Sequence, residues 1–395
     1  MKSLSSSSVI EKLDRWQFLK TSIDSLFSSK NFPLQVEGIS GSLFSFFVDQ
    51  ISKASHVRHI QSVQYDSAIK TFSQDTIIVV PTEREATDIE NDLKSVFHKT
   101  EIYKLTGFGV MPYRPVGRGS VTFGERTGVL AKMLQRNTSV RFDGKPRVFI
   151  LTQNVFMSRL VPPEYIAKNS FILSKGNVLD TLKMAEQLSR MGYTRVPRVM
   201  VRGEFSLRGE VLDIFLPCDE YPTRFIFDFD KIEKIKEFDP VAQITVTENK
   251  DNVLIYPMRE VIWTEDLILR VSEKLDEYQN ASIKNLNSEI NYRENTDSDN
   301  FHVHLPFTEK ALEEKEKMLL ELETSGETEG EEFFYSLLWD KEYSLKDYAD
   351  PSSFVLFADY DRMENALLGI SREYSSMYRK VRSDFPVLPP DLVLN

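Results

Sequence analysis

Two kinds of hydrophobic pattern alternate along the chain, and the change from one to the other divides it. In the first part, short unbroken apolar runs precede helical ones. DTIIVVPTEREATDIENDLKSVF opens with Ile77 to Val80, stops at Pro81 and Thr82, and continues at helical spacing to about Phe97. An apolar run of that length is what a strand buried on both faces requires. RVFILTQNVFMSRL repeats the unit: Arg147 to Leu151 predicts a strand, and the next segment a helix. Strand, turn and helix, repeated, predict an α/β layer around a parallel sheet. Upstream, Leu43, Phe46, Phe47 and Ile51 recur near helical spacing behind Ser40 and Ser42, which can cap a helix.

The pattern changes after VPPEYI, Val161 to Ile166. From Phe171 the strands shorten: FILSKG, FSLRGEVLDIFLP, RFIFDFDKIEKIKEFDP and VLIYP. Phe225, Phe227 and Phe229 alternate with Ile226, Asp228 and Asp230, the period of half-buried antiparallel sheet. A smaller α+β domain is therefore expected at 160–257, inserted between two parts of the α/β core, 1–159 and 258–395. Helices return from Met258. KALEEKEKMLLELE, Lys310 to Glu323, is the clearest, and its like charges predict a solvated face. The acidic loops ENTDSDN, Glu294 to Asn300, and TSGETEGEE, Thr324 to Glu332, flank it. FVLFADYD, Phe354 to Asp361, predicts one more buried strand, followed by a helix and a proline-rich close. The serine-rich first ten residues are expected to fray.

Composition narrows the function classes. The 395 residues are 41% hydrophobic, enough for two or three cores. Net charge is −11, so the bulk field repels nucleic acid and any such contact must be local. The single cysteine, Cys218, rules out an intrachain disulfide, fits a reducing cytoplasm, and reads as a structural or surface thiol. The N-terminus lacks the apolar run of a signal peptide, and no stretch approaches bilayer-spanning length, so a soluble cytoplasmic protein is expected. The histidines are His56, His59, His98, His302 and His304. The last two lie on one side of a predicted strand without a third ligand, so no metal is expected. No G-x-S-x-G, paired-cysteine or Ser/His/Asp pattern points to catalysis.

Two stretches carry candidate chemistry. GISGSLFS, Gly38 to Ser45, has the outline of the phosphate loop G-x-x-x-x-G-K-[ST]. Gly38 and Ser45 match, and Gly41 adds a second small residue. Leu43 stands where the second glycine belongs, and Phe44 replaces the lysine that reaches the β/γ oxygens. Taken alone, a strand-to-helix turn with two glycines reads as plain structure. FVLFADYD supplies the other half in the same outline. Asp359 stands at a metal-binding position, and Tyr360 replaces the glutamate that would polarise water. Together they predict a nucleotide fold without turnover. SRMGYTRVPRVMVRGEFSLRG places Arg190, Arg195, Arg198, Arg202 and Arg208 close together with only Glu204 opposing. The cluster reads either as a solvated face paired to local acids or as a docking surface for an acidic partner.

RGEVLDIFLPCDEYPTRFIFDFDKIEKIKEFDPVAQITV, followed by VLIYPMRE, resembles the second domain of bacterial transcription-repair coupling factor and, more distantly, that of excinuclease B. The matching positions are Arg208, Gly209, Asp213, Ile214 and Phe215, then Phe227, Asp230, Phe238 and Asp239, then Pro257, Arg259 and Glu260. Leu216 puts the following proline one place late, and Ile244 after Gln243 departs from the family order. The resemblance covers about 30–395 and is most specific at 203–260. It implies a helicase-like core with a degenerate phosphate loop. Excinuclease B keeps an intact ATP site and the coupling factor's N-terminal module does not, and Phe44 and Tyr360 place this chain with the latter. No cofactor is expected.

Excinuclease B also inserts a long aromatic hairpin after the tyrosine of MPYRPVGRGSVTFGERTGVL. Here the link is short, which implies no clamp on a DNA strand. The family's second domain recruits excinuclease A, through a strand that reads F-R-V-R-G in excinuclease B. This chain has Phe205-Ser206-Leu207-Arg208-Gly209, so Arg208 carries over, and a further family arginine falls near Arg195. Arg202 and Arg198 are candidates on physical grounds. RNA polymerase and DNA are bound by other parts of the full coupling factor, so these residues are expected to be its N-terminal recruitment module and not an enzyme. The alternatives are a nucleotide-binding or DNA-remodelling ATPase of the excinuclease B type, and a DNA-binding module using the arginines.

Overall fold

The computed structural model describes residues 17–29, 32–65, 75–96, 100–109, 112–135, 145–290 and 305–393. The serine-rich start, ENTDSDN and the His302/His304 pair lie outside the described residues. Helices α1 (Gln17–Ser28) and α2 (Ser42–Tyr65) precede β1 (Asp75–Val80), α3 (Glu83–Val96), β2 (Glu101–Leu105), α4 (Val121–Leu134) and β3 (Arg147–Thr152). The short α5 (Gln153–Met157) and α6 (Pro163–Lys168) lead to β4 (Phe171–Ser174) and α7 (Thr181–Arg190). There follow β5 (Thr194–Arg195), β6 (Glu204–Arg208), β7 (Val211–Ile214), β8 (Thr223–Asp228), β9 (Lys231–Phe238), β10 (Thr245–Thr247) and β11 (Asn252–Ile255). Then come α8 (Glu265–Ile290), α9 (Glu309–Ser325), a 3-10 turn at Glu331–Leu337, α10 (Leu345–Tyr348), β12 (Phe354–Phe357) and α11 (Tyr360–Val381).

These elements form two compact units. One comprises 1–105, 136–153 and 349–363, and the other 106–135, 154–348 and 364–395. The first is an α/β layer. Its parallel sheet has the order β12-β1-β3-β2. β1 and β3 are buried at every residue, as their unbroken apolar runs require. Phe46, Phe47, Val48 and Ile51 of α2 pack with Ile78, Val80, Val148 and Ile150 in one core. At the start of the two central strands, Arg147 donates to both carboxylate oxygens of Asp75 at 2.5 Å, closing a buried ion pair in register. β12 departs from the expected buried strand. Val355 and Phe357 are 42% and 40% exposed, alternating with the more buried Phe354 and Leu356, so one face of this edge strand is open. Phe354 and Leu356, on its other face, pack against the core.

The second unit contains a six-stranded sheet, β10-β9-β8-β7-β6-β5, antiparallel except where β5 runs parallel to β6. FILSKG does not join it. As β4 it pairs with β11, the VLIYP strand, in a separate antiparallel ribbon. The alternation through β8 holds for Phe225 and Phe227, both buried, and ends before Phe229. Phe229 sits in the turn between β8 and β9 with φ +53° and is 82% exposed. The chain reverses at this point, so the period-two rule no longer applies to it. α4 is buried on most of its circumference, and its glycines are spaced for contact. A Cβ on Gly128 would lie 2.6 Å from both Cys218 and the Tyr256 ring, and one on Gly124 would lie 2.5 Å from Pro217. α9 has the expected solvated face, and also a buried one of Ala311, Lys315, Met318 and Leu322. Lys315 is admitted to that face because its ammonium meets Asp276 of α8 at 2.6 Å.

Candidate partner-binding surface

Side chains alternate across a strand, so the register of the six-stranded sheet states which residues share a face. Ser206, Asp213, Arg224 and Lys236 form one row across β6 to β9, and Arg208, Val211, Ile226 and Lys234 form the next. Phe205, Leu212, Phe225 and Ile235 fill the opposite, buried face. The outer face therefore carries Arg208, Arg224, Lys234 and Lys236 around one buried acid, Asp213. Lys236 is paired with Glu248 at 2.7 Å and Lys234 lies 3.4 Å from Glu233, so the excess positive charge of this face rests on the two guanidiniums that share Asp213.

Asp213 is the keystone of that face. It is 1% exposed and accepts two hydrogen bonds from Arg224, at 2.7 and 2.9 Å, in a fork. That bond holds the Arg224 guanidinium above its ordinary pKa. Arg224 also donates to the Gln243 side chain at 3.1 Å and lies 4.2 Å from the centre of the Phe238 ring. Gln243 is fixed in turn: Asp239 accepts from the backbone N–H groups of Val241 and Ala242, and Gln243 adopts φ +60°. Phe238 and Asp239, family-pattern positions in the sequence, thus form a socket for Arg224 together with Gln243. Arg208 shares Asp213 from the neighbouring strand at 3.5 Å, while its side chain stays 55% exposed. Gly209, at φ +56°, closes the two-residue turn immediately after it.

The other expected arginines separate into two groups. Arg195 is exposed on β5, the edge strand, opposite Phe205 of β6 and about 10 Å along the strand direction from Arg208. Arg198 is turned to the backbone, donating to the carbonyls of Val241 at 2.8 Å and Pro240 at 3.4 Å. Arg202 donates to the Asp219 carbonyl and lies 3.4 Å from Glu125. Ser206, which replaces a family arginine, is buried, and its hydroxyl donates to the Pro197 carbonyl. Sequence reasoning missed Arg224, because its partners are scattered along the chain and meet only in the folded sheet.

Two further family positions are structural. Glu260 pairs with the buried Arg126 of α4 at 2.5 Å, and Arg126 also donates to the Thr106 carbonyl and lies over the Phe108 ring. Arg259 reaches Glu327 at 2.7 Å and also donates to the Gly326 carbonyl. The acidic TSGETEGEE loop is thereby tied down. Cys218 fits a structural thiol: burial raises its pKa, and its sulfur meets the Glu125 carbonyl at 3.2 Å.

At the glycine-rich loop, Gly38 and Gly41 adopt φ +81° and +58°, and Phe44 N–H donates to the Gly41 carbonyl as α2 begins. Only the second half of a strand-to-helix turn is present: among the described residues no strand precedes Gly38, and 32–37 are irregular and exposed. Phe44 packs against the hydrophobic core. Ser45 is buried, and its hydroxyl donates to Asp92 of α3 at 3.1 Å. Asp359, with φ +56°, lies 3.9 Å from Arg362, which pairs with Glu85 at 2.6 Å. The Tyr360 ring stands edge-on to Phe357. No strand lies between Pro112 and Ser120. Among the described residues there is no cluster able to hold a metal ion, and no helix is long and apolar enough to cross a membrane.

Residues 171–260 match the UvrB interaction domain. The chain is 27% identical over 230 residues to the transcription-repair-coupling factor of Borreliella burgdorferi, an alignment covering 58% of this chain and 19% of that protein. It is 30% identical over 173 residues to the transcription-repair-coupling factor of Haemophilus influenzae, covering 44% of this chain and 14% of that protein. It is also 30% identical over 196 residues to UvrABC system protein B of Kosmotoga olearia, covering 47% and 27%. The matched part is thus a minor fraction of each relative's length. The cationic sheet face lies within the residues that match the UvrB interaction domain, in a chain similar to transcription-repair-coupling factors and to UvrABC system protein B.

Proposed function

We propose that the chain is a recruitment module: its UvrB interaction domain binds excinuclease A and links nucleotide excision repair to a stalled RNA polymerase. The observation that carries this reading is the outer face of the six-stranded sheet, where Arg208 is held by Asp213 yet half open to solvent. A preorganised, exposed guanidinium suits bidentate capture of a partner carboxylate. Arg195, on the exposed edge strand and in register with Phe205, adds a guanidinium at the sheet's edge and not on the Arg208 face. Such pairs set partner choice and encounter rate more than raw affinity. Arg198 and Arg202, each turned to groups of the chain itself, support the rim.

The same reading takes 160–257 as a domain inserted into a helicase-like core of 1–159 and 258–395, and takes Gly38 to Ser45 as a decayed phosphate loop. Phe44 in the core, Ser45 on Asp92 and Tyr360 in place of a glutamate support that reading. Contacts to RNA polymerase and DNA, and the ATP-driven motor, belong to other parts of a longer protein of this kind. The test is capture of purified excinuclease A by the wild-type chain and by Arg208→Glu, with the fold checked by circular dichroism. The variant is expected to lose capture, and undiminished capture by a folded Arg208→Glu would remove this face from the interface.

A further inference from the structure

Phe229 costs the fold on two counts. It stands in the turn between β8 and β9 at φ +53°, which a bulky residue rarely adopts and glycine adopts freely. Its ring is 82% exposed, so little burial offsets that strain. Strain of this kind concentrates at ligand clamps and switch sites.

Register places this turn beside the Arg208 face. Phe227 pairs with Ile232, and both are buried on the opposite face. The next pair, Asp228 and Lys231, is exposed and so returns to the face of Arg208, Val211, Ile226 and Lys234. Val178 bridges to Lys231 from the other side and is 72% exposed on that same face. The turn after Arg208 runs alongside: the Glu210 carbonyl accepts from the Phe227 N–H at 2.8 Å. Arg208 and Phe229 therefore stand at one end of the sheet, about 10 Å apart across the strands and about 10 Å along them, within the span of one ordinary interface. Val211 and Ile226, half-buried, fill the row between.

We propose that Phe229 is the apolar anchor of the partner-binding surface, its ring entering an apolar pocket on excinuclease A while Arg208 meets a carboxylate beside that pocket. This rests on the recruitment reading and adds a requirement on the partner. Arg208 and Arg224 share the single acid Asp213, so an acidic group is wanted on the Arg208 side. Asp228 stands opposite Lys231, whereas Asp230 is exposed at the turn and favours a basic group on the far side. The complement is thus an apolar pocket between an acid and a base. A second copy of this chain would set the same guanidiniums against each other in a two-fold contact, which like charge opposes. Aromatic and arginine side chains are the residues that interface centres favour.

The full chain is passed over immobilised excinuclease A as wild type, Phe229→Gly, Phe229→Asn and Arg208→Glu, and the urea midpoint of each is measured. Phe229→Gly should weaken binding at least about tenfold, chiefly through faster dissociation. Its midpoint should stay level or rise, because glycine and asparagine tolerate the turn's positive φ. Phe229→Asn should lose binding to the same degree, which assigns the loss to the ring and not to a loosened turn. Unchanged affinity in Phe229→Gly, beside lost affinity in Arg208→Glu, overturns the anchor and leaves the recruitment reading standing. No binding by the wild type overturns both. A lowered midpoint in both Phe229 variants would show that the ring serves the fold, and would also overturn the anchor.

Discussion

Glu332 allows a quantitative test of how the second unit treats a buried acid. The side chain follows Glu331 into the 3-10 turn, and desolvation is the chief force on it, opposed by backbone hydrogen bonds including that from Val116. Its pKa rises from 4.5 to about 8 in the folded chain. A carboxyl raised in this way contributes its full stability below its unfolded value and loses it as pH climbs toward the folded one. With 1.36 kcal/mol per pKa unit, ionisation in the unfolded chain costs the fold about 3 kcal/mol at pH 7 and about 1 kcal/mol at pH 5. Glu332→Gln keeps an oxygen for the Val116 N–H and removes the titration. The variant should therefore be more stable than wild type by about 2–3 kcal/mol at pH 7, with the gap closing to under about 1 kcal/mol at pH 5. Urea unfolding followed by tryptophan fluorescence at both pH values reads this as a midpoint difference at constant slope. Glu331 is also raised by burial, but it is present in both proteins and cancels in the comparison. A gap independent of pH, or a variant weaker at pH 7 than at pH 5 relative to wild type, would show that Glu332 is ionised and satisfied in the fold.

Four further outcomes follow from the contacts of both units. Arg126→Ala strands Glu260 in the interior and should cost about 3–5 kcal/mol in chemical denaturation, whereas Arg126→Met with Glu260→Leu should cost much less. Gly128→Ala drives a methyl into Cys218 and Tyr256 and should lower stability by about 1–3 kcal/mol in the same assay, a loss that Cys218→Ala partly reverses. Asp213→Asn, which weakens the grip on Arg224 and Arg208, should reduce capture of excinuclease A while leaving the circular dichroism spectrum unchanged. ATP titrated into the chain in a calorimeter should release no binding heat, and measurable affinity that disappears on Asp359→Ala would restore the nucleotide-site reading of the glycine loop.

Much of the fold was readable one segment at a time. Ile77 to Val80 and Arg147 to Leu151 announced central strands because burial on both faces leaves an unbroken apolar run, and these are β1 and β3. FVLF looked the same and is an edge strand. Four residues of apolar sequence say neither whether a layer covers the second face nor whether a strand pairs on both sides, and β12 has one face half open and a neighbour on one side only. Phe229 continued an alternation that the backbone had already abandoned at a turn. The proposed partner surface was legible in part. Arg208 and Arg195 stood out by charge and by family pattern. Arg224 did not, since it works through Asp213, Phe238 and Gln243, and only strand register brings those positions together. Arg198 and Arg202 shared Arg208's charge but not its family position, and in the fold backbone carbonyls and Glu125 are within their reach.

The parallel sheet also dictates an order of events during synthesis. β1 obtains one neighbour, β3, from the segment that follows it, but its other flank is covered only by β12 near the far end of the described chain. Translation runs from the N-terminus, so the nascent polypeptide must carry a bare row of N–H and C=O groups along Thr76 to Val79 until Phe357 has left the ribosome. The long middle stretch of the second unit, up to Tyr348, is made within that interval. A chain halted before β12 would present a sticky ribbon to holdase chaperones, and release of that ribbon would mark the moment the last strand docks.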